Sequence, residues 1–187
     1  MITGTTGDWG LAGRTTRAPS HGIFQRMTTP EVGILMGSKN DFETLASCCD
    51  VLTEFGIVWE ARVLSAHRTP DAALEYAATA ESRGLQVIIC AAGGAAHLGG
   101  FIAAKTVLPV LAVPIASTPL GGLDALLSMV QMPAGIPVGT LAIGKWGATN
   151  AGVLAVQIIA TKRPELRDRM RAWREKRAKD VLAQTVP

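Results

Sequence analysis

His67 and Arg68 stand side by side in SAHRTP (65–70), and Arg68 is one of only six Lys or Arg between residues 27 and 161. A guanidinium is a planar fork that suits a phosphate monoester, and an imidazole can move a proton near neutral pH. A surface histidine and arginine in a turn would leave the same letters. GSKND (37–41) places Gly37 and Ser38 where backbone N–H groups and a hydroxyl can meet an anion at a helix N-terminus. Equally, Ser38 or Asp41 can do no more than cap that helix. In AAGGAAHL (91–98), consecutive small residues let a flat ligand approach the backbone, and His97 reads as a helix-start residue with some ligand contact. Two histidines without a suitable carboxylate or cysteine do not make a metal site. Neither G-x-G-x-x-G nor the Walker pattern occurs, so dinucleotide and ATP readings have no support. Lys145 and Trp146, in GKWGATN (144–150), are expected at a rim or interface.

These segments all follow short apolar runs, and the runs alternate with helical periodicity. VGILM (32–36) precedes a helix opened by Asp41, with Phe42, Leu45, Cys49 and Leu52 on one face and Gly56 closing it. A second strand, IVWEARVL (57–64), leads to Thr69 and Pro70 as N-cap and first residue of a helix through Arg83. QVIICAA (86–92), VLAVPI (110–115) and GTLAIG (139–144) read as further strands, with helices after His97 and over 123–130 between them. Gly147 and Asn150 introduce an apolar helix over 151–161, and Pro164 starts a charged one whose stripe is Leu166, Met170 and Trp173. Five βα repeats with near-continuous apolar strands predict an α/β fold: a parallel five-stranded sheet in a three-layer αβα sandwich, with an extra C-terminal helix over 164–180. In such a sheet, ligands bind at the carboxyl ends of the strands, where the chemical segments stand. The helix over 151–161 is too apolar for one-sided burial, and the last stripe too thin for a core, so both are expected to meet neighbouring subunits.

Composition excludes several classes. The chain is 48% hydrophobic and 18% charged, with a mean hydropathy of +0.27. The apolar stretches are nevertheless interrupted by glycines, His97, Pro109 and Pro114, so no run of ~18 apolar residues predicts a membrane span. The formal charge of +3 is terminal: residues 1–26 carry +2 and 162–180 carry +5, leaving −4 over 27–161. That middle offers no surface for nucleic acid. Cys48, Cys49 and Cys90 have no ligand or disulfide spacing and read as buried thiols in a reducing compartment, the cytoplasm. Residues 1–26 lack the apolar core of a secretory signal; they are expected to be a disordered extension, or to precede the true start at Met27. Residues 27–187 are expected to form a single catalytic domain.

Taken in order, GSKND, SAHRTP, AAGGAAHL, the block LDALLSMVQMPAGIPVGTLAIG (123–144) and G-x-x-G-A-T-N-A resemble the class I N5-carboxyaminoimidazole ribonucleotide mutases of purine biosynthesis, from about Glu31 to the C-terminal helix. The resemblance implies a flavodoxin-like, octameric enzyme that moves a carboxylate from the exocyclic nitrogen to ring carbon C4, with no cofactor and no metal. It makes His67 the general acid/base. It also implies that Ser38, Asp41 and Arg68 hold the ribotide, Arg68 at the phosphate and Asp41 at the ribose hydroxyls. Ser65 and the Gly93–Gly94 backbone would face the imidazole and carboxylate, with His97 nearby. Asn40 replaces a serine usual in that family, exchanging a hydroxyl for an amide at a possible phosphate contact. Gly99 replaces a proline, Ala91 a glycine, and Trp146 a small residue. A carboxylase using free CO2, or a non-catalytic nucleotide-binding subunit, would carry much of the same text.

Overall fold

Val32–Met36 (β1) is five apolar residues in succession, all buried, as a strand covered on both faces requires. The other strands are Trp59–Val63 (β2), Val87–Gly93 (β3), Val110–Ile115 (β4) and Gly139–Thr140 (β5). All pair in parallel in the order β2-β1-β3-β4-β5. The structure is a computed structural model that describes residues 29–186. The expected extension over residues 1–26 lies outside them. Among the described residues, no helix is long and apolar enough to cross a membrane.

Strand alternation divides the core in two. Ile34, Ile89 and Val113 face one layer, containing Phe42–Glu54 (α1) and Lys145–Ala160 (α5). Leu35, Ile88 and Ala112 face the other, containing Pro70–Thr79 (α2), Leu98–Ala103 (α3) and Leu123–Val130 (α4). This is the expected α/β three-layer sandwich, with flavodoxin-like strand order. Cys48, Cys49 and Cys90 are buried in it with free thiols, and burial pushes the Cys49 thiol up to about 11. Phe42 departs from the expected apolar face of α1 and stands 42% exposed at its first turn.

Several boundaries moved. The second strand is confined to 59–63, and α2 ends at Thr79, its chain turning through Gly84 at φ +90°. The fifth strand keeps only two ladder residues. Leu141 N–H still donates to the Ala112 carbonyl; beyond it the chain leaves the edge, returning where Gly144 N–H donates to the Pro114 carbonyl. Gly144 has φ +73° and ψ −147°, a conformation open essentially to glycine, and it starts α5 at Lys145 rather than Ala151. Gly147 is thus inside the helix, where a Cβ would sit 1.6 Å from the Ala142 carbonyl oxygen. It admits close packing rather than introducing the helix.

The last helix, Pro164–Leu182 (α6), corrects the expectation for its stripe. Leu166 and Met170 are buried in the chain's own core, and Trp173 packs beside Phe55 with ring centroids 6.0 Å apart. Trp173 Nε1 donates to Glu54 Oε2 at 3.1 Å, and Arg169 donates to the Phe55 and Glu54 carbonyls, filling the orphan acceptors at the end of α1. Arg163 pairs with Glu31 at the base of the sheet. α5 packs against α1, α6 and the sheet, and Val153, Leu154 and Ile158 are left only partly buried on it.

Candidate active site

Strand order reverses direction between β1 and β3, and there the loops splay apart to leave a crevice above the carboxyl ends. A cavity of about 430 Å³ occupies it. The loop after β1 contributes Gly37, Ser38, Asn40 and Asp41. That after β2 contributes Ser65, Ala66, His67 and Arg68. Ala92, Gly93, Ala96, His97 and Leu98 come from β3 and its loop, and Ser117 from the loop after β4. Of the residues expected in a site, Gly94 alone stays out of the lining. Its φ of +62° instead turns the chain after β3.

Ser38 and Asp41 both cap and line. Asp41 Oδ2 accepts from the Ser38 N–H at 3.1 Å, and Ser38 Oγ accepts from the Asn40 N–H at 3.3 Å, a reciprocal box around the single 3-10 turn Lys39–Asp41. Burial raises the Asp41 carboxyl above its usual value, with the Ser38 N–H and the Arg68 charge pulling the other way. The turn therefore presents a carboxylate already oriented from behind.

The loop after β2 is tied to itself. Ser65 N–H donates to Thr69 Oγ1 at 2.9 Å, and Thr69 Oγ1 donates to the Ser65 carbonyl at 3.2 Å. Thr69 sits at the N-cap position, but its hydroxyl serves this loop rather than α2. Ser65 Oγ accepts from Arg68 N–H at 3.2 Å and Nε at 3.4 Å, which uses its two lone pairs and leaves its O–H to donate to a ligand. Arg68 Nη2 donates to the Gly37 carbonyl, bridging the first two loops. Nη1 makes no hydrogen bond among the described residues and is left for an anion.

A Cβ on Gly93 would lie 1.9 Å from Ser117 Oγ, so the loop after β4 leaves no room for a side chain at that point of the lining. Ala96 has φ +20°, the one non-glycine residue with positive φ among those described, and it immediately precedes His97. His67 Nε2 and His97 Nδ1 are 2.8 Å apart. The arrangement offers an acid/base group, a cation, hydroxyl donors and a carboxylate acceptor around one small volume. No group of three or more His, Cys, Asp or Glu that could hold a metal ion occurs among the described residues.

Sequence reasoning missed Ser117 and the contact between the histidines. A signal for Ser117 existed: Ser38, Ser65 and Ser117 each stand two residues beyond the end of their strand, at Met36, Val63 and Ile115. Of the departures noted in the sequence, Asn40 lines the cavity, Ala91 is buried in β3, Gly99 lies in α3, and Trp146 projects from the first turn of α5. Lys145 and Trp146 are outside the lining.

Comparison with known proteins places these motifs in context. The family model described as AIR carboxylase matches residues 31–180. The N5-carboxyaminoimidazole ribonucleotide mutase of Pseudomonas aeruginosa is 53% identical over 156 residues, covering 83% of this chain and 96% of that protein. The protein of the same description from Escherichia coli K12 is 51% identical over 165 residues, covering 88% of this chain and 98% of its own length. A crystal structure of Treponema denticola PurE is similar with a TM-score of 0.73 and 28% identity, covering 82% of this chain and 94% of that one.

Proposed function

The chain belongs to the AIR carboxylase family, and from that premise we propose that it converts N5-carboxyaminoimidazole ribonucleotide into 4-carboxy-5-aminoimidazole ribonucleotide, a step of purine biosynthesis. The observation that carries this reading is the cavity that holds His67 beside Arg68 together with the small residues Ala92, Gly93 and Ala96. It gives a ribotide one phosphate anchor, one proton shuttle and one flat surface.

The carbamate bond between N5 and the carboxyl carbon breaks, releasing CO2, and the electron pair left on N5 takes a proton from His67. Ring carbon C4, made nucleophilic by the amine, then attacks the retained CO2. Loss of the C4 proton to His67 restores the aromatic ring and the starting protonation of the enzyme. Keeping CO2 beside C4 replaces a bimolecular capture with a unimolecular one. Arg68 Nη1, Ser38 and Asn40 grip the phosphate, and Asp41 accepts from the ribose hydroxyls. Ser65 donates to the carboxylate or imidazole along the Gly93 backbone, and His97 flanks the reacting ring. Gly94 acts only through its turn. Neither a metal nor another cofactor has a part in these steps.

On the same reading, residues 27–187 are one catalytic domain including α6, working as a homo-octamer in the cytoplasm on a small ribonucleotide, without nucleic acid or membrane. Three buried free thiols support the compartment. An apolar stripe supports assembly: Leu120, Leu123, Leu127 and Val130 are 64%, 52%, 49% and 51% exposed along one side of α4 and its approach. The test is a bicarbonate-free assay followed by NMR. Turnover of the N5-carboxylated substrate is the expected result. Turnover of aminoimidazole ribonucleotide with CO2 alone would make the protein a carboxylase, and binding without turnover would make it a non-catalytic subunit.

A further inference from the structure

Helix α4 carries two side chains that reach the loops on one side of the cavity without lining it. Ser128 Oγ donates to the Ala95 carbonyl at 2.8 Å. Asp124 Oδ2 accepts from Thr118 Oγ1 at 2.7 Å, and that hydroxyl accepts in turn from the Leu120 N–H at 3.2 Å. Asp124 and Ser128 stand one helical turn apart and share a face. By helical spacing that face lies between the core row, Ala125 and Met129, and the exposed row, Leu123 and Leu127. The core row fixes α4 to the sheet, so both side chains project from a held element.

The loop after β3 has little of its own to hold it. Ala95 is exposed and stands between Gly94 at φ +62° and Ala96 at φ +20°. Within Gly93–Ala96, the backbone bond among the described residues is Ala96 N–H to the Gly93 carbonyl, at 3.3 Å. An alanine at such a φ persists where its surroundings fix it. Ala96 is buried in the core beneath, and Ser128 ties down the carbonyl just before it. In the loop after β4, Thr118 directly follows Ser117, the side chain that crowds Gly93. The two ties from α4 thus bear on neighbouring stretches of the cavity lining: Gly93 and Ala96 from one loop, Ser117 from the other.

We infer that Ser128 and Thr118 are positioning residues, which anchor to α4 the two loops forming the β3 and β4 side of the cavity and so set where Gly93 and Ala96 meet the reacting ring. The inference rests on the proposed reaction and deepens it. Neither tie reaches the loops after β1 and β2, which carry Ser38, Asp41 and Arg68. Losing a tie should therefore leave the grip on the ribotide in place and be felt in the chemical step, where small misplacements of the ring are costly.

The test uses the full-length protein and two pairs of variants, one member of each pair keeping the hydroxyl. Ser128→Ala should lower kcat about tenfold or more with KM within about threefold and an unchanged sedimentation profile. Ser128→Thr should stay within about threefold of the wild-type kcat. Thr118→Val and Thr118→Ser should repeat the contrast. Without substrate, hydrogen exchange read by mass spectrometry should show the amides of residues 93–97 exchanging at least about fivefold faster in Ser128→Ala, and wild-type exchange over 37–41. A Ser128→Ala protein with wild-type kcat would overturn the inference. So would a defect confined to KM, or a Ser128→Thr protein as impaired as Ser128→Ala. If Thr118→Val does not fold, the Ser128 pair still decides. Exchange needs no turnover, so absence of mutase activity in the wild type would sink the proposed reaction, while unchanged exchange over 93–97 in Ser128→Ala would sink the tie.

Discussion

Arg68 and His67 are adjacent in the chain, yet the loop directs them to different tasks. Ser65 and Gly37 hold the guanidinium from one side, leaving Nη1 open, while His67 Nε2 lies 2.8 Å from His97 Nδ1. A phosphate contact acts in ground state and transition state alike, whereas proton transfer acts only in the latter. His67→Asn should therefore abolish turnover while ribotide affinity stays within about tenfold, ~1.4 kcal/mol. Calorimetric binding set beside the rate separates the two, and a variant retaining more than about a tenth of the wild-type rate would remove His67 from the chemistry. Arg68→Lys turns a fork into a point charge. It should raise KM about tenfold or more with a smaller effect on kcat, and an altered kcat at unchanged KM would contradict the phosphate role.

Elements are fixed to one another by contacts that the apolar pattern does not announce. Glu60 on the edge strand β2 accepts from Tyr76 Oη at 2.8 Å and from Arg83 Nη1, joining that strand to α2 and the turn after it. Burial by itself would raise the Glu60 carboxyl and is the largest single influence. The hydrogen bonds from Arg83 and Tyr76 and the charges of Arg83 and Arg62 together outweigh it, leaving the group below its usual range. A carboxylate depressed in the folded state adds stability above its unfolded pKa and loses it as pH falls through the folded one. Glu60→Gln should cost about 1 kcal/mol at neutral pH, the partial exposure of the pair limiting it. The difference should fade below the ordinary glutamate value of 4.5. Urea melts of both proteins across that window test this, and a gap that stays constant would assign the effect to packing. In α5, Gly147→Ala must displace the Ala142 carbonyl, and a loss of about 1–3 kcal/mol is expected, read as a lowered urea midpoint.

For the whole molecule, two apolar stripes have opposite fates. The α6 stripe is spent inside the chain, where Leu166 and Met170 are buried and Arg169 closes the end of α1. The α4 stripe stays uncovered and is the surface proposed above for assembly. Leu127→Glu should consequently dissociate the assembly while the fold of each subunit persists. Met170→Ala should cost about 2–5 kcal/mol of subunit stability and leave the assembly intact. Sedimentation and thermal unfolding of both variants distinguish these outcomes. An assembly broken by Met170→Ala and untouched by Leu127→Glu would return the contact to α6.

By itself the sequence determined the layered α/β fold, the bounds of β1, β4 and α4, and the loops that meet at the cavity. Continuous apolar runs report burial on both faces of a strand, and a parallel sheet brings all its carboxyl ends to one edge. The loops that carry Ser38, Asp41, Arg68 and His97 were legible for that reason, whereas Ser65 and Gly93 were singled out by the family resemblance. Tertiary structure alone decided what covers each apolar face, because periodicity says which side of a helix avoids water and not which neighbour excludes it. The α6 stripe, expected on a neighbouring subunit, was therefore assigned to the chain's own core only once α1 and α5 were in place. Local packing similarly decided the early start of α5, where Gly147 lies against Ala142, and the short β5. The approach of His67 to His97 depends on β1 separating β2 from β3 while their loops lean together over it, a distance that no local pattern along the chain encodes.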